Sequence, residues 1–160
     1  MIRLEEIREV NFNECINLDP GVTNEDFADS VAYSLAEAWI YYPAMKPFAI
    51  SMCGKLIGFA LLYLGEENFQ IINFFIVEEF RDRGYGRQSA RLCIDYLKDT
   101  YKADRISVPV HFRNTKALKF WRGLGFEESK NIEDGYLFMR CYLWRYHFIN
   151  FALVRNSGTI

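Results

Sequence analysis

The sequence is poor in the residues that build metal sites and disulfide frameworks. Its 160 residues include only four cysteines and two histidines, and no two cysteines form a CxxC pair. Metal sites need ligands at short, regular spacing, and scattered cysteines are typical of proteins in a reducing compartment. We therefore predict no metal, reduced thiols and a cytoplasmic location.

The sequence also has no long apolar run and little net charge. No segment reaches the roughly 18 consecutive apolar residues that span a bilayer, and the acidic start, Met1–Glu6, does not resemble a signal peptide. A formal net charge of −2 gives no general attraction to a polyanion. We expect neither a membrane protein nor a nucleic-acid-binding protein.

Half of the chain is apolar, and its patterning alternates between strands and helices. With 51% hydrophobic and 17% aromatic residues, the chain can bury a substantial core. The patterning predicts helices after Asn11 or Asn13, over 23–42, over 87–101 and after Asn114, and strands over 2–10, 48–53, 56–64, 69–77, 105–110, 126–129 and 136–143. The strands between 48 and 77 should form an antiparallel meander, and strand 105–110 should lie parallel to strand 69–77.

Pro109 is expected to open a slot in this sheet. A proline cannot donate a hydrogen bond to a neighbouring strand, so pairing between strands 69–77 and 105–110 should fail near it. The backbone groups of Phe75, Ile76 and Val77 would then be available to a ligand.

The turn before helix 87–101 carries two glycines and three arginines. Glycine allows a close approach to the backbone, the first amides of a helix point outward, and Arg81, Arg83 and Arg87 add positive charge. Such a turn suits a phosphate-bearing cofactor, although a glycine pair here is also ordinary turn chemistry. A nucleotide-phosphate enzyme is disfavoured because the turn lacks a Lys-Ser/Thr ending.

Two motifs together resemble a known family. The Arg-x-x-Gly-x-Gly turn at 81–86, the segment NTKALKFWRGLGF at 114–126 and the order of strands and helices resemble the acetyl-CoA motifs of the GNAT superfamily of N-acetyltransferases. The segments 35–43, 57–59 and 73–76 are similar, more narrowly, to bacterial spermine/spermidine acetyltransferases. The resemblance implies one α+β domain over 1–143, in which helices cover both faces of a mixed, mostly antiparallel sheet of six to seven strands.

The resemblance also implies a cofactor, acetyl-CoA, and the residues that bind it. The implied contacts come from the strand, the turn and the start of the helix after Asn114: Phe74, Phe75, Ile76, Arg81, Asp82, Arg83, Gly84, Tyr85, Gly86, Arg87, Asn114, Ala117 and Phe120. The implied reaction is attack of a primary amine on the thioester, with a polyamine such as spermidine or spermine as the favoured acceptor. An amino acid, an aminoglycoside or a protein amine is an alternative acceptor.

The chain departs from the family at its catalytic positions. Related enzymes often carry a carboxylate on the strand and a tyrosine in the helix, where this chain has Asn73 and Trp121. Asn73, Trp121 as a hydrogen-bond donor to the leaving thiolate, and Glu78 as a proton acceptor through water are the candidate catalytic residues; Tyr136 is an alternative donor. A missing general acid or base costs about 10² to 10⁴ in rate, so a catalytically impaired acyl-CoA-binding protein is the alternative.

The acceptor would lie against the end of helix 23–42. Glu37, Tyr41 and Tyr42 are the candidate substrate-binding residues, although an acid there also suits a solvated face and aromatic residues also suit a core. His111 either titrates near neutral pH or is structural. The tail, residues 144–160, has no clean periodicity and is compatible with an added strand, a homodimer contact or a loosely held end.

Overall fold

A computed structural model describes residues 1–21 and 27–144 of the chain. The predicted helix start at Thr23 and nearly all of the tail lie outside these residues. The helices are α1 (Glu9–Ile16), α2 (Val31–Ile40), α3 (Tyr85–Tyr101) and α4 (Thr115–Arg122). The strands are β1 (Ile2–Glu6), β2 (Met45–Met52), β3 (Lys55–Leu64), β4 (Phe69–Ile76), β5 (Arg105–His111), β6 (Glu127–Glu133) and β7 (Tyr136–Tyr142).

The strands form one seven-stranded sheet with helices on both faces. Its order is β1-β2-β3-β4-β5-β7-β6, and only β4 and β5 pair in parallel. One buried cluster joins the sheet to α3 and α4, and a second joins it to α1 and α2. This confirms the predicted mixed, mostly antiparallel α+β fold. No helix in the described part of the chain combines the length and the apolar character needed to cross a bilayer.

The parallel strands β4 and β5 separate soon after they meet. Their register covers only Phe69 with Ile106 and Gln70 with Ser107. Pro109 still pairs with Phe138 of β7, so pairing is lost on the β4 side alone. The predicted slot between the two strands is therefore present.

A β-bulge in β4 was not predicted. Leu61 of β3 pairs with Asn73, whereas the next residue, Leu62, pairs with Ile71, so Ile72 is an extra residue in β4. A bulge rotates the side chains that follow it relative to a regular strand. As a result, Asn73 faces α2, while Phe74 packs on the α3 and α4 side.

Two predicted elements at the N-terminal end are wrong in extent. The first strand stops at Glu6, because Asn11 accepts a hydrogen bond from the Arg8 amide and donates one to the Glu6 carbonyl, which starts α1. Helix α2 starts at Val31, where Ser30 accepts a hydrogen bond from the Tyr33 amide.

The sequence of helix 23–42 predicts an apolar stripe of Phe27, Val31, Leu35, Ala38, Trp39 and Tyr42, and the structure confirms only part of it. Trp39 is 82% exposed and Tyr42 is 80% exposed. The buried face carries Val31 and Ala38, as predicted, together with Ser34, which was not predicted. The polar Ser34 is buried because its hydroxyl has a partner on β4, which sequence periodicity does not reveal.

Ser89→Ala is expected to stabilise the protein. Ser89 is fully buried in α3, and its hydroxyl has no hydrogen-bond partner among the described residues. Removing an unsatisfied buried hydroxyl in a helix should add up to about 1 kcal/mol to the free energy of unfolding, or roughly 2–4 °C in Tm. Thermal unfolding measures this. Ser51→Ala is the control, because it removes a hydroxyl that donates to Glu5 and should lower Tm; a similar loss in both variants contradicts the prediction.

Candidate active site

The gap between β4 and β5 opens into a pocket of about 410 Å³. It brings together eleven of the thirteen predicted cofactor residues: Phe74, Phe75, Ile76, Arg81, Asp82, Gly84, Gly86, Arg87, Asn114, Ala117 and Phe120. Trp121 also lines it, as do three residues that the sequence reasoning did not assign to it, Phe27, Ala28 and Lys116. Arg83 and Tyr85, the other two predicted residues, are not part of the lining.

The backbone of β4 presents amides to this gap. The Val77 amide donates to the Ile57 carbonyl of the β3 side at 2.9 Å. Successive amides alternate between the two edges of a strand, so the amides of Ile76 and Phe74 point toward the β5 side. Beyond Gln70 that side is the open gap, where these amides suit a carbonyl or amide ligand.

The far end of the pocket is a helix N-terminus flanked by cations. Gly84 precedes α3 with a φ of 80°, a left-handed conformation that glycine adopts without strain. The first amides of α3 then point outward, and Arg87 and Lys116 line the same pocket. This arrangement suits a phosphate group.

Arg81 is held at the pocket by backbone carbonyls. Its Nε donates to the Ile76 carbonyl at 2.8 Å, and its guanidinium also donates to the Pro20 carbonyl. Arg81 therefore joins the end of β4 to the segment that follows α1, while its positive charge stays at the pocket wall.

Helix α4 forms the opposite wall. Asn114 caps it by accepting a hydrogen bond from the Ala117 amide at 3.1 Å, as its predicted role as a cap requires. The rings of Phe74 and Phe120 stack with their centroids 6.0 Å apart. Trp121 is only 4% exposed and packs edge-on against Phe74 and Phe126, so its indole is part of the core as well as of the pocket.

The three predicted catalytic residues lie in different places. Trp121 lines the pocket, and Asn73 is buried beside it with its amide bonded to the α2 region. Glu78 is exposed, in a short 3-10 turn at 78–80, and lines a separate pocket with residues of α1 and β3. The structure therefore does not bring Glu78 together with the other two.

The predicted acceptor residues also lie outside the pocket lining. Tyr41 is 54% exposed and lies with Tyr42 just after α2. Glu37 is half-buried on α2, and burial, together with the charge of Asp29, raises the pKa of its carboxyl.

Glu37→Gln is expected to raise Tm slightly at pH 8 but not at pH 3.5. Because the pKa of Glu37 is raised in the folded protein, its ionised form costs stability above that pKa, and the cost vanishes below the ordinary pKa of the unfolded chain. Thermal unfolding of both proteins between pH 3.5 and 8 tests this. The same Tm difference at every pH would show that the charge of Glu37 is not responsible.

Phe27 connects the pocket to the end of β5. Its ring lies 5.4 Å from that of His111, which also contacts Phe112 and Tyr136. The Nδ1 atom of His111 accepts a hydrogen bond from the Arg113 amide at 3.2 Å. The aromatic side chain of Phe27 was the one signal in the sequence that could have indicated a pocket. The sequence reasoning assigned it to the apolar stripe of helix 23–42 instead.

The family follows from a comparison with protein families. Residues 8–126, which include the glycine turn and α4, match the acetyltransferase (GNAT) family. The chain belongs to the GNAT family. This confirms the resemblance on which the expected fold and cofactor rest.

Individual relatives are distant. Over 96 residues the chain is 27% identical to a spermine/spermidine N(1)-acetyltransferase of Bacillus subtilis strain 168, a match covering 55% of this chain and 63% of the relative. A probable spermine N(1)-acetyltransferase of B. subtilis subsp. natto is 26% identical over the same length. The match thus spans less than two thirds of these curated relatives.

Solved structures share the fold. The spermidine N-acetyltransferase of Vibrio cholerae in complex with CoA and spermine superposes with a TM-score of 0.72 at 18% identity, covering 91% of this chain and 98% of the other. The PaiA N-acetyltransferase of Thermoplasma acidophilum in complex with coenzyme A gives a TM-score of 0.67 at 14% identity, covering 89% and 99%. At these identities the likeness shows the fold alone.

Proposed function

We propose that this protein is an acetyl-CoA-dependent N-acetyltransferase that acts on a primary amine of a small acceptor, with a polyamine such as spermidine or spermine favoured. The observation that carries the proposal is the pocket, which has the β4 amides at one end and the N-terminus of α3 at the other. The named relatives, which are spermine and spermidine acetyltransferases, support the choice of acceptor.

Each part of the pocket has a task in this reaction. Acetyl-CoA supplies the acetyl thioester. The first amides of α3, with Arg87 and Lys116, would bind the pyrophosphate, and the stacked rings of Phe74 and Phe120 would line the path of the pantetheine. The amides of Phe74 and Ile76 would donate to the carbonyl oxygen of the thioester and so suit the stabilisation of negative charge on that atom.

The pocket offers little that could take a proton from the amine. A free alkylamine has a pKa about three units above neutral pH, so supplying its neutral form costs on the order of 4 kcal/mol. Among the described residues of the pocket lining, Asp82 is the one carboxylic acid, and it lies in the exposed turn. We therefore expect kcat/KM to rise with pH toward the pKa of the amine.

Trp121 favours a second candidate, a CoA-binding protein with little catalysis. Its indole donates a hydrogen bond but does not titrate usefully, and it is fixed among Phe74, Phe120 and Phe126. Such a protein would be stabilised by CoA without turning it over.

A panel of amines separates these candidates. Spermidine, spermine, amino acids, an aminoglycoside and a lysine peptide are each incubated with acetyl-CoA, and the products are detected by mass. Acetylated spermidine supports the first candidate. CoA binding without any acetylated product supports the second, and a larger thermal shift with ATP than with acetyl-CoA contradicts both.

We also propose a cytoplasmic location and a homodimer. All four cysteines are free, and three of them are buried, which suits a reducing compartment.

Trp39, Ile40 and Tyr42 expose apolar surface at the end of α2 that a second copy would bury. Light scattering coupled to size-exclusion chromatography measures the oligomeric state, and a monomer at micromolar concentration contradicts the homodimer.

A further inference from the structure

Asn73 lies next to the pocket but faces the opposite side of the sheet from α4. The bulge at Ile72 turns the Asn73 side chain toward α2. Phe75, two residues further along β4, packs in the buried cluster that joins the sheet to α1 and α2, and it also lines the pocket. Asn73 is only 5% exposed. A buried amide at this place needs partners, and those partners define its role.

The Asn73 amide holds two points near the start of α2. Its Nδ2 donates to the Asp29 carbonyl and to the Ser34 hydroxyl, both at 2.9 Å. A backbone carbonyl only accepts hydrogen bonds, so the atom that faces it must be the NH₂ group, which fixes the orientation of the amide. Asn73 therefore acts here as a donor, and it has no basic group that could take a proton from an amine.

The segment held by Asn73 continues into the pocket wall. Phe27 and Ala28, which line the pocket, directly precede Asp29. The Phe27 ring contacts His111 at the end of β5, while the Asp29 carbonyl is bonded to β4. Residues 27–29 therefore contact both strands, β5 through the Phe27 ring and β4 through the Asp29 carbonyl.

We propose that Asn73 is a positioning residue, which holds Asp29 and Ser34 and thereby sets the Phe27–Ala28 wall that aligns the acceptor amine with the thioester. This inference rests on the proposed function. The groups proposed to bind the cofactor, which are the β4 amides, the first amides of α3, Arg87 and Lys116, lie outside the segment 27–34 that Asn73 holds. We therefore expect loss of the Asn73 bonds to affect the alignment of the acceptor and to leave cofactor binding in place.

Steady-state kinetics of Asn73→Ala and Ser34→Ala test this proposal, with the amine that the panel identifies. We expect kcat to fall at least tenfold in both, while the KM of acetyl-CoA and the Kd of CoA change less than threefold. Ser51→Ala is the matched control, because Ser51 is also a buried serine that loses a hydrogen bond, but it lies on β2 away from the pocket. If kcat falls equally in Asn73→Ala, Ser34→Ala and Ser51→Ala, the proposal is overturned.

Asn73→Asp decides between positioning and catalysis. The new carboxylate has nearly the same shape, but it cannot donate to the Asp29 carbonyl. We expect a kcat at least tenfold below that of the unchanged protein. A higher kcat would mean that position 73 serves as a general base when a carboxylate is present, and that outcome overturns the positioning role.

Hydrogen–deuterium exchange separates this inference from the proposed function because it needs no turnover. Peptides covering residues 27–34 should exchange at least fivefold faster in Asn73→Ala and Ser34→Ala, and unchanged in Ser51→Ala. Unchanged exchange in the first two overturns the inference even if the protein is an active acetyltransferase. If no amine is acetylated, the proposed function fails, and exchange alone decides whether Asn73 holds the wall.

Discussion

Gly86→Ala is expected to weaken CoA binding at least tenfold while the fold remains intact. Gly86 is the second residue of α3, and a methyl group there would lie 3.5 Å from Phe120 and 3.7 Å from Ile76, which are ordinary contact distances. Alanine is also favoured over glycine in helices by about 1 kcal/mol. We therefore expect the substitution to leave the free energy of unfolding unchanged or slightly higher.

The substitution should nevertheless weaken the binding of the cofactor. Gly86 lines the pocket where the first amides of α3 point outward, and a methyl group would keep a pyrophosphate away from them. A tenfold loss in affinity corresponds to about 1.4 kcal/mol, which one displaced hydrogen bond to a charged group can cost.

Calorimetric titration with CoA and thermal unfolding together measure the effect of Gly86→Ala. Ser89→Ala, on the same helix but buried away from the pocket lining, is the control and should bind CoA normally. Unchanged affinity in Gly86→Ala would show that this glycine shapes the turn and does not contribute to CoA binding.

Gly58→Ala is expected to destabilise the protein by about 3 kcal/mol, the upper end of the usual range for overpacking. Gly58 pairs with Ile76 across β3 and β4. A methyl group at Gly58 would overlap the carbonyl oxygen of Phe75 and would lie 2.9 Å from a side-chain carbon of Ile76. Because a backbone atom is in the way, β3 and β4 must move apart.

This displacement would also reach the proposed site, since Phe75 and Ile76 line the pocket. We expect Tm to fall by roughly 6–12 °C and CoA binding to weaken in the fraction that still folds. Gly54→Ala, in the turn of the same hairpin, is the control: nothing lies within 4 Å of its added methyl group, and its φ of 84° costs about 1–2 kcal/mol. Equal Tm values for the two variants contradict the prediction.

The lining of the pocket between β4 and β5 was predictable because its signals are local. The glycine before α3, the asparagine cap of α4 and the proline in β5 each act on backbone within a few residues of themselves. Backbone geometry of this kind depends on the type of residue and little on the rest of the chain. That is why eleven predicted residues line one pocket.

The packing of α2 was less predictable because it depends on partners that are distant in the sequence. Trp39 and Tyr42 fit the same predicted stripe as Val31 and Ala38, yet only Val31 and Ala38 are buried. Ser34 is buried because Asn73, 39 residues away, bonds to it. A pair such as Ser34 and Asn73 can form only when the register of the sheet brings β4 next to α2.

The sequence by itself determined the fold class, the family and most of the residues that line one pocket, because strand runs, the glycine turn and the cap of α4 are properties of short segments. Only the tertiary structure decided the use of individual side chains. It placed Arg81 on backbone carbonyls, Trp121 in the core and Asn73 between β4 and α2. The reason is physical: a side chain that leaves water needs a partner, and the bulge and the splayed strands decide which partner is within reach.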